Sequence, residues 1–148
     1  VSVPIYFAVG PFVDQLHPVR VCLAGLALCT AAFLGCFAFA QTPASFSVWW
    51  MLLMATVAVY QGGFGALLPR LMERARYGQF VSANQIFGFS GVVVAPVLCG
   101  WLIERLQDYR FVFVWCAVCC GLGFLMGLLV FFEWKKLGGD KDFRPIEV

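Results

Sequence analysis

The chain has 148 residues, of which 62% are hydrophobic and 12% are charged, and its net charge is +2. Soluble globular domains average about 45–50% apolar and about 25% charged residues, so this composition excludes the soluble class. Nucleic-acid binding is excluded as well, because the Lys and Arg residues form no dense basic stripe apart from the loops and the tail. The composition indicates an integral membrane protein.

The chain begins with an apolar run, VSVPIYFAVG, that has no initial Met. A signal peptide would combine a charged start, a short apolar core and a small-residue cleavage site, and this pattern is not visible. We interpret residues 1–13 as the end of a truncated helix and expect the sequence to be a fragment. Gly10 and Pro11 mark the last turn of this helix, and a short polar loop with Asp14, His17 and Arg20 follows.

Four further apolar segments are each long enough to cross a bilayer, which takes ~20 residues. They cover residues 21–40, 48–68, 80–103 and 111–132. Pro43 is expected to stop any helix in the uncharged turn Gln41–Ser45. The pattern predicts an all-α polytopic membrane protein with its helices in residues 1–134 and a polar, loosely ordered tail at 135–148.

The distribution of basic residues predicts the orientation of these spans. A basic island, PRLMERAR at residues 69–76, separates the 48–68 and 80–103 segments. If it is cytoplasmic, eight of the ten Lys/Arg lie inside, and only Arg105 and Arg110 lie outside. Because Lys and Arg favour cytoplasmic loops, this bias predicts a cytoplasmic C-terminus.

Polar residues are concentrated in two of the spans. Tyr60 and Gln61 lie near the middle of the 48–68 span, and Asn84 and Gln85 lie in the 80–103 span, nearer its cytoplasmic end. Polar side chains at membrane depth normally face a bundle interior or a water-filled cavity. We therefore expect these two spans to line or flank a cavity that binds a solute, while the almost purely apolar 21–40 and 111–132 spans face lipid all round. An interhelical hydrogen bond is the alternative role for Asn84 and Gln85.

Small residues recur at helical spacing and favour close helix packing. One such face carries Asn84, Gly88, Gly91 and Ala95, and Gly123 with Gly127 forms a GxxxG pair. The Gly62–Gly63 pair adjoins two polar side chains, and it could instead soften its helix for a rocking motion.

Seven cysteines raise the alternatives of disulfides, a metal site or simple packing. Cys22, Cys29 and Cys36 recur at every seventh residue, which places them on one helix face. All seven lie inside predicted spans, where Cys behaves as a small apolar residue, so we favour packing and expect no metal site.

Catalytic chemistry has no basis in the sequence, so the chain is not expected to be an enzyme or to bind a cofactor. The GFSG at residues 88–91 is similar to the GxSG of rhomboid-type proteases, but no histidine follows Ser90 to serve as its base. No Asp, Glu, Lys or Arg lies well inside a span. Since charged solutes and proton relays usually require such residues, their absence favours a neutral polar solute or indicates that the ionisable groups lie in the missing part of the protein.

Two motifs resemble those of the major facilitator superfamily. Gly10-Pro11-Phe12-Val13-Asp14 followed by Arg20 is similar to the cytoplasmic loop motif G-x-L-A-D-R-x-G-R-R, with Gln15, His17, Pro18 and Val19 departing from it. The second pattern is similar to the penultimate helix of the family and its flanking loops; it comprises RYGQF at 76–80, Ala95-Pro96, GWL at 100–102 and DYRF at 108–111.

This resemblance implies a partial major-facilitator-type helical bundle, with the last five of twelve helices and the first of them incomplete. It further implies a secondary transporter that works by alternating access, with Gly10, Asp14 and Arg20 in a gating loop. The expected partners are a small solute such as a sugar or nucleoside, a coupling proton or cation, membrane lipid, and the missing N-terminal half of the transporter. The alternative is a non-transporting membrane subunit whose polar residues only hold helices together.

The charge bias leads to a prediction about topology. A single cysteine at Ser45, in a background without other cysteines, should react with a membrane-impermeant thiol reagent in intact cells, because the turn Gln41–Ser45 is expected to lie outside. The same labelling should be seen in the segment Glu104–Arg110. Labelling of Ser45→Cys only after the membrane is opened would contradict this orientation.

Overall fold

In a computed structural model, the described residues are 16–71, 77–136 and 138–139, and they form four helices and no strand. Helix α1 spans Pro18–Phe39, α2 Pro43–Leu71, α3 Tyr77–Leu106 and α4 Phe111–Lys136. All four are long and apolar enough to cross a membrane. The prediction of an all-α polytopic membrane protein is confirmed. Three predicted parts lie wholly or mostly outside the described residues: the helix at 1–13, residues 72–76 of the basic island, and residues 137 and 140–148 of the tail.

Two prolines begin helices in the described part of the chain. Pro43 is the first residue of α2, where its fixed φ suits the first turn and its missing N–H costs nothing, so it does not stop a helix as the sequence suggested. The backbone N–H of Ser45 donates to Thr42 Oγ1 at 3.2 Å, and the backbone N–H of Thr42 donates to Ser45 Oγ at 3.0 Å. This reciprocal cap satisfies N–H groups that the first turn leaves without partners. Pro18 begins α1 in the same way, and His17 is its N-cap residue.

Helices α1 and α2 approach each other closely along a face of small residues, which we call the α1–α2 seam. A Cβ added at Gly25 would lie 2.6 Å from Tyr60 Cα, and one added at Gly63 would lie 2.8 Å from the backbone N of Cys22. Cys29 Sγ donates to Thr56 Oγ1 at 3.5 Å, about one helical turn beyond the Gly25 contact. Because Gly63 is needed for this close approach, the seam supports a packing role for it.

The cysteines on α1 belong to this seam. Cys22, Cys29 and Cys36 are free and buried, and Cys36 is only 1% exposed. Their seven-residue spacing therefore marks the face of α1 that packs against α2. The packing interpretation is confirmed for these three residues.

A second face of α1 packs against α4. A Cβ added at Gly127 would lie 2.9 Å from Leu23 Cδ2, and one added at Gly123 would lie 3.6 Å from Leu26 Cδ2. The GxxxG pair thus forms a groove that accepts leucine side chains from α1. Its predicted role in helix packing is confirmed.

The expectation that the 21–40 and 111–132 spans face lipid all round is wrong. Helix α1 packs against both α2 and α4, and a larger share of it is buried than of any other described helix. Its apolar composition could not predict this burial, because lipid tails are as apolar as the helix–helix interfaces in a membrane. The side-chain sizes distinguish a helix–helix interface from a lipid-facing surface here, because the glycines and the small cysteines allow the helices to approach closely.

Helix α3 makes few contacts with the other described helices and has no buried residue. A Cβ added at Gly88 or Gly91 would meet nothing within 4 Å. The small-residue face that includes Asn84 and Ala95 therefore has no partner within residues 16–71, 77–136 and 138–139. Its role in packing stays a prediction.

The loops that follow α1 and α3 lie at the same end of the bundle. Arg110 Nη2, just before α4, donates to the backbone O of Phe37 near the end of α1. The rings of Phe46 in α2 and Phe113 in α4 lie 6.4 Å apart at this end. The two segments predicted to be external, Gln41–Ser45 and Glu104–Arg110, thus lie at the same end of the bundle. Four helices that cross a membrane in succession require this arrangement.

The seam leads to a prediction about stability. Gly63→Ala should destabilise the fold by about 1–3 kcal/mol, because the new methyl group would overlap the Cys22 backbone and overpacking costs about this much. Gly65→Ala is the matched control, since a Cβ there meets nothing within 4 Å. Thermal unfolding in detergent would measure both variants. Equal stability of the two variants would contradict the close approach at the seam.

Candidate solute-binding site

Helix α2 has two chemically different faces. One packs on α1 through Leu53, which is 1% exposed, and Thr56, which is 8% exposed. Gln61 lies outside this face, and its side chain is exposed. Because α2 is held on α1 along the seam, the rotation of α2 about its axis is fixed, and with it the direction in which Gln61 projects.

Tyr60 lies at the edge of the seam. Its Cα and Cβ contact the position of Gly25, and its ring centroid is 5.7 Å from that of Phe64, one turn further along the helix. The side chain is half-buried. Consecutive helical residues point ~100° apart, so Tyr60 and Gln61 cannot both aim at the same place. Tyr60 lies at the edge of the exposed face of α2, and Gln61 lies on that face.

The polar residues of α3 are also exposed. Asn84 and Gln85 have exposed side chains, and the structure shows no hydrogen bond from either to another described residue. Their alternative role as an interhelical bridge is therefore not seen in this part of the chain. They are not brought into hydrogen-bonding contact with Tyr60 or Gln61.

Other hydroxyls in the spans are satisfied within their own helices. Ser82 donates to the backbone O of Gly78 at 2.9 Å, and Ser90 donates to that of Ile86 at 2.8 Å. Thr56 donates to the backbone O of Leu53 at 2.8 Å and accepts from the thiol of Cys29. Such hydroxyls need no external partner, whereas the amide of Gln61 offers two donors and an acceptor to a ligand.

The predicted gating residues are only partly described. Gly10 and Asp14 lie outside the described residues. Arg20 lies in the first turn of α1, and its Cζ is 5.9 Å from the ring centroid of Trp134 in α4. Arg20 therefore belongs to a cluster that joins the start of α1 to the end of α4.

Sequence reasoning missed Trp134 because it placed this residue at the edge of a polar tail. Helix α4 continues to Lys136, and Trp134 is only 3% exposed. Its ring stacks on that of His17, with centroids 4.3 Å apart. The available signal was the sequence Trp-Lys-Lys at the end of a long apolar run, since Trp favours membrane interfaces.

Arg110 was also missed, although it lies in a motif that the sequence analysis quoted. Its guanidinium contacts both the ring and the backbone carbonyl of Phe37, with Cζ 5.3 Å from the ring centroid. That carbonyl lies in the last turn of α1, where carbonyl groups lack helical partners and a positive charge is favourable. The backbone N–H of Arg110 donates to Asp108 Oδ1 at 2.8 Å. Arg110 thus caps α1 and fixes the start of α4 against it.

The exposed face of α2 carries groups that can form hydrogen bonds with a polar molecule. An exposed amide on a firmly held helix can form directed hydrogen bonds, and the neighbouring Tyr60 supplies an aromatic edge. In the described ranges, no three His, Cys, Asp or Glu side chains are grouped in a way that could hold a metal ion.

Comparison with known families gives one match over nearly the whole chain. The family model described as Major Facilitator Superfamily matches residues 1–146. Neither the curated proteins nor the solved structures contain a significant match.

Proposed function

The chain belongs to the major facilitator superfamily, a family of multi-pass membrane transporters, and on that basis we propose that it takes part in alternating-access transport of a small, neutral, polar solute. Sugars and nucleosides are the solute classes that fit best. In this mechanism the solute binds near the middle of the membrane while the two halves of a transporter rock around it.

The observation that carries the proposal is the two-faced character of α2. One face is buried on α1, and the opposite side presents Gln61 near the middle of the span. An amide at membrane depth with no partner among the described residues is costly unless water or a ligand satisfies it. A solute path beside α2 would provide both.

The absence of charge inside the described spans favours a neutral solute. The charged residues of the four helices lie in their first or last turns. An anionic or cationic solute usually requires a fixed charge of opposite sign near its site. Hydrogen bonds from Gln61 and an aromatic surface from Tyr60 suit hydroxyl-rich rings.

Three further elements belong to the proposal. We place the C-terminus in the cytoplasm on the evidence of the Lys/Arg bias. We expect Asp14 to pair with a nearby arginine, such as Arg20, in the cytoplasmic gate. A coupling proton or cation, and the first half of the transporter, would complete the machinery.

The alternative of a non-transporting subunit accounts well for Thr56 but poorly for Gln61. The Thr56 hydroxyl accepts from Cys29 across the seam, as expected for a residue that holds helices together. Gln61 is exposed, and the structure shows no such bond for it in the described part of the chain.

Substitution of Gln61 tests the proposed site. Gln61→Ala should weaken solute affinity by about 1–2 kcal/mol, or roughly 5–30-fold, because a hydrogen bond to a desolvated partner is lost. Tyr60→Phe should have a smaller effect, because the ring and its place at the seam are kept. Binding of a panel of sugars and nucleosides to the purified transporter would provide the measurement.

Gln41→Ala is the matched control, since this residue is an exposed glutamine in the turn between α1 and α2. Unchanged affinity in both Gln61→Ala and Tyr60→Phe would remove this site. Selective binding of an anionic solute would contradict the assignment of a neutral one.

A further inference from the structure

The end of the bundle where α1 starts and α4 ends is built around a buried tryptophan. Trp134 stacks on His17, lies beneath the guanidinium of Arg20, and has the ring of Phe131 at a centroid distance of 5.7 Å. These contacts hold its indole in a single position between the two helices. The cluster lies at the level where the apolar part of α4 gives way to Lys135 and Lys136.

A cavity of about 390 Å³ opens beside this tryptophan. Two basic side chains line it, together with two rings and two glycines: Arg20, Lys135, Phe131, Trp134, Gly138 and Gly139. None of the described residues that line this cavity is acidic. Its charge therefore favours an anionic occupant.

Trp134 supplies a second and independent indication of a ligand. Its Nε1 is buried, and the structure shows no hydrogen-bond partner for it in the described part of the chain. The indole N–H can only donate, and a buried donor without a partner costs about 1–3 kcal/mol. An oxygen of a ligand in the cavity would satisfy it.

A second cavity, of about 600 Å³, lies on the other side of Lys135. Leu129 and Phe132 from the apolar part of α4 line it together with the charged residues Glu133, Lys135 and Lys136, and Lys135 is common to both cavities. The chemistry thus changes across Lys135 from a basic, N–H-bearing pocket to a groove with an apolar floor and the Glu133–Lys136 ion pair at its rim. This sequence of environments matches a phosphate group followed by an acyl chain.

We propose that the cavity beside Trp134 binds the headgroup phosphate of an anionic phospholipid, with the acyl chain lying along Leu129 and Phe132. Lys135 supplies the positive charge, and Trp134 Nε1 donates to a phosphate oxygen. Basic pockets between membrane helices at the cytoplasmic surface are suited to such headgroups. The bound lipid would bridge α1 and α4 at this end, as Arg110 does at the other.

The neighbouring lysine provides a matched control for the test. Lys136 Nζ lies 2.6 Å from Glu133 Oε1, and it lines the second cavity but not the basic one proposed for the phosphate. Lys135 lines that cavity, and the structure shows no ion pair for it among the described residues. Lys135→Gln and Lys136→Gln remove the same charge one residue apart, so a general surface effect would change both alike.

Native mass spectrometry of the purified transporter, titrated with phosphatidylglycerol or phosphatidylcholine, would measure lipid affinity. Lys135→Gln should weaken phosphatidylglycerol binding about fivefold, which corresponds to ~1 kcal/mol for one basic residue near the surface. Lys136→Gln should leave the affinity within about twofold, since its charge is already paired. Trp134→Phe should weaken binding about tenfold, because it keeps the ring and removes the hydrogen bond to a charged group.

Several outcomes would overturn the proposal. Equal losses in the two lysine variants would reduce it to diffuse surface charge. Equal binding of phosphatidylcholine would remove the selectivity for an anionic lipid. Inorganic phosphate that displaces phosphatidylglycerol at millimolar concentration would identify a site for a soluble anion. If Trp134→Phe fails to fold, the comparison of the exposed lysines decides the question.

Discussion

The close approach of α1 and α2 is the constraint on which the rest of the structure depends. Backbone contacts at Gly25 and Gly63 bring the two helices together at two points, and the Cys29–Thr56 hydrogen bond adds a third contact about one turn beyond Gly25. In a membrane no hydrophobic effect drives helices together, so such packing contacts supply much of the association energy. A helix held at two points cannot rotate freely. The seam therefore decides which residues of α2 are buried and leaves Gln61 exposed.

Helix α1 then acts as the common support for its neighbours. Its second face accepts α4 through Gly123 and Gly127, and its two ends are tied to α4 by different chemistry. At one end Arg110 binds the last turn of α1, and at the other Trp134 stacks on His17. Helix α3 stands apart, with polar and small residues exposed along its length. In a transporter, this arrangement would separate a rigid support from the surfaces that face the solute path.

The sequence was sufficient to predict the class of fold, because span length and apolar content follow directly from bilayer thickness. Periodicity also identified the Cys22–Cys29–Cys36 face and the Gly123–Gly127 groove. It could not show that α1 is the buried helix, because hydropathy does not distinguish lipid from a protein neighbour. Trp134 and Arg110 were missed for another reason: both act across long sequence separations, on His17 and Phe37. For the site, the sequence pointed to Tyr60 and Gln61. Only the packing of Tyr60 against Gly25 showed that Tyr60 lies at the seam and Gln61 on the exposed face.

The central claim, that α2 has one face on α1 and another beside an aqueous solute path, is tested most directly by cysteine accessibility. In a background without native cysteines, Gln61→Cys and Gly65→Cys lie one turn apart on the exposed side, whereas Thr56→Cys lies in the seam. A charged methanethiosulfonate reagent requires water to reach and modify a thiol. The account predicts rapid modification at positions 61 and 65, protection of position 61 by bound solute, and no modification at position 56. Modification at position 56 with none at 61 and 65 would contradict it.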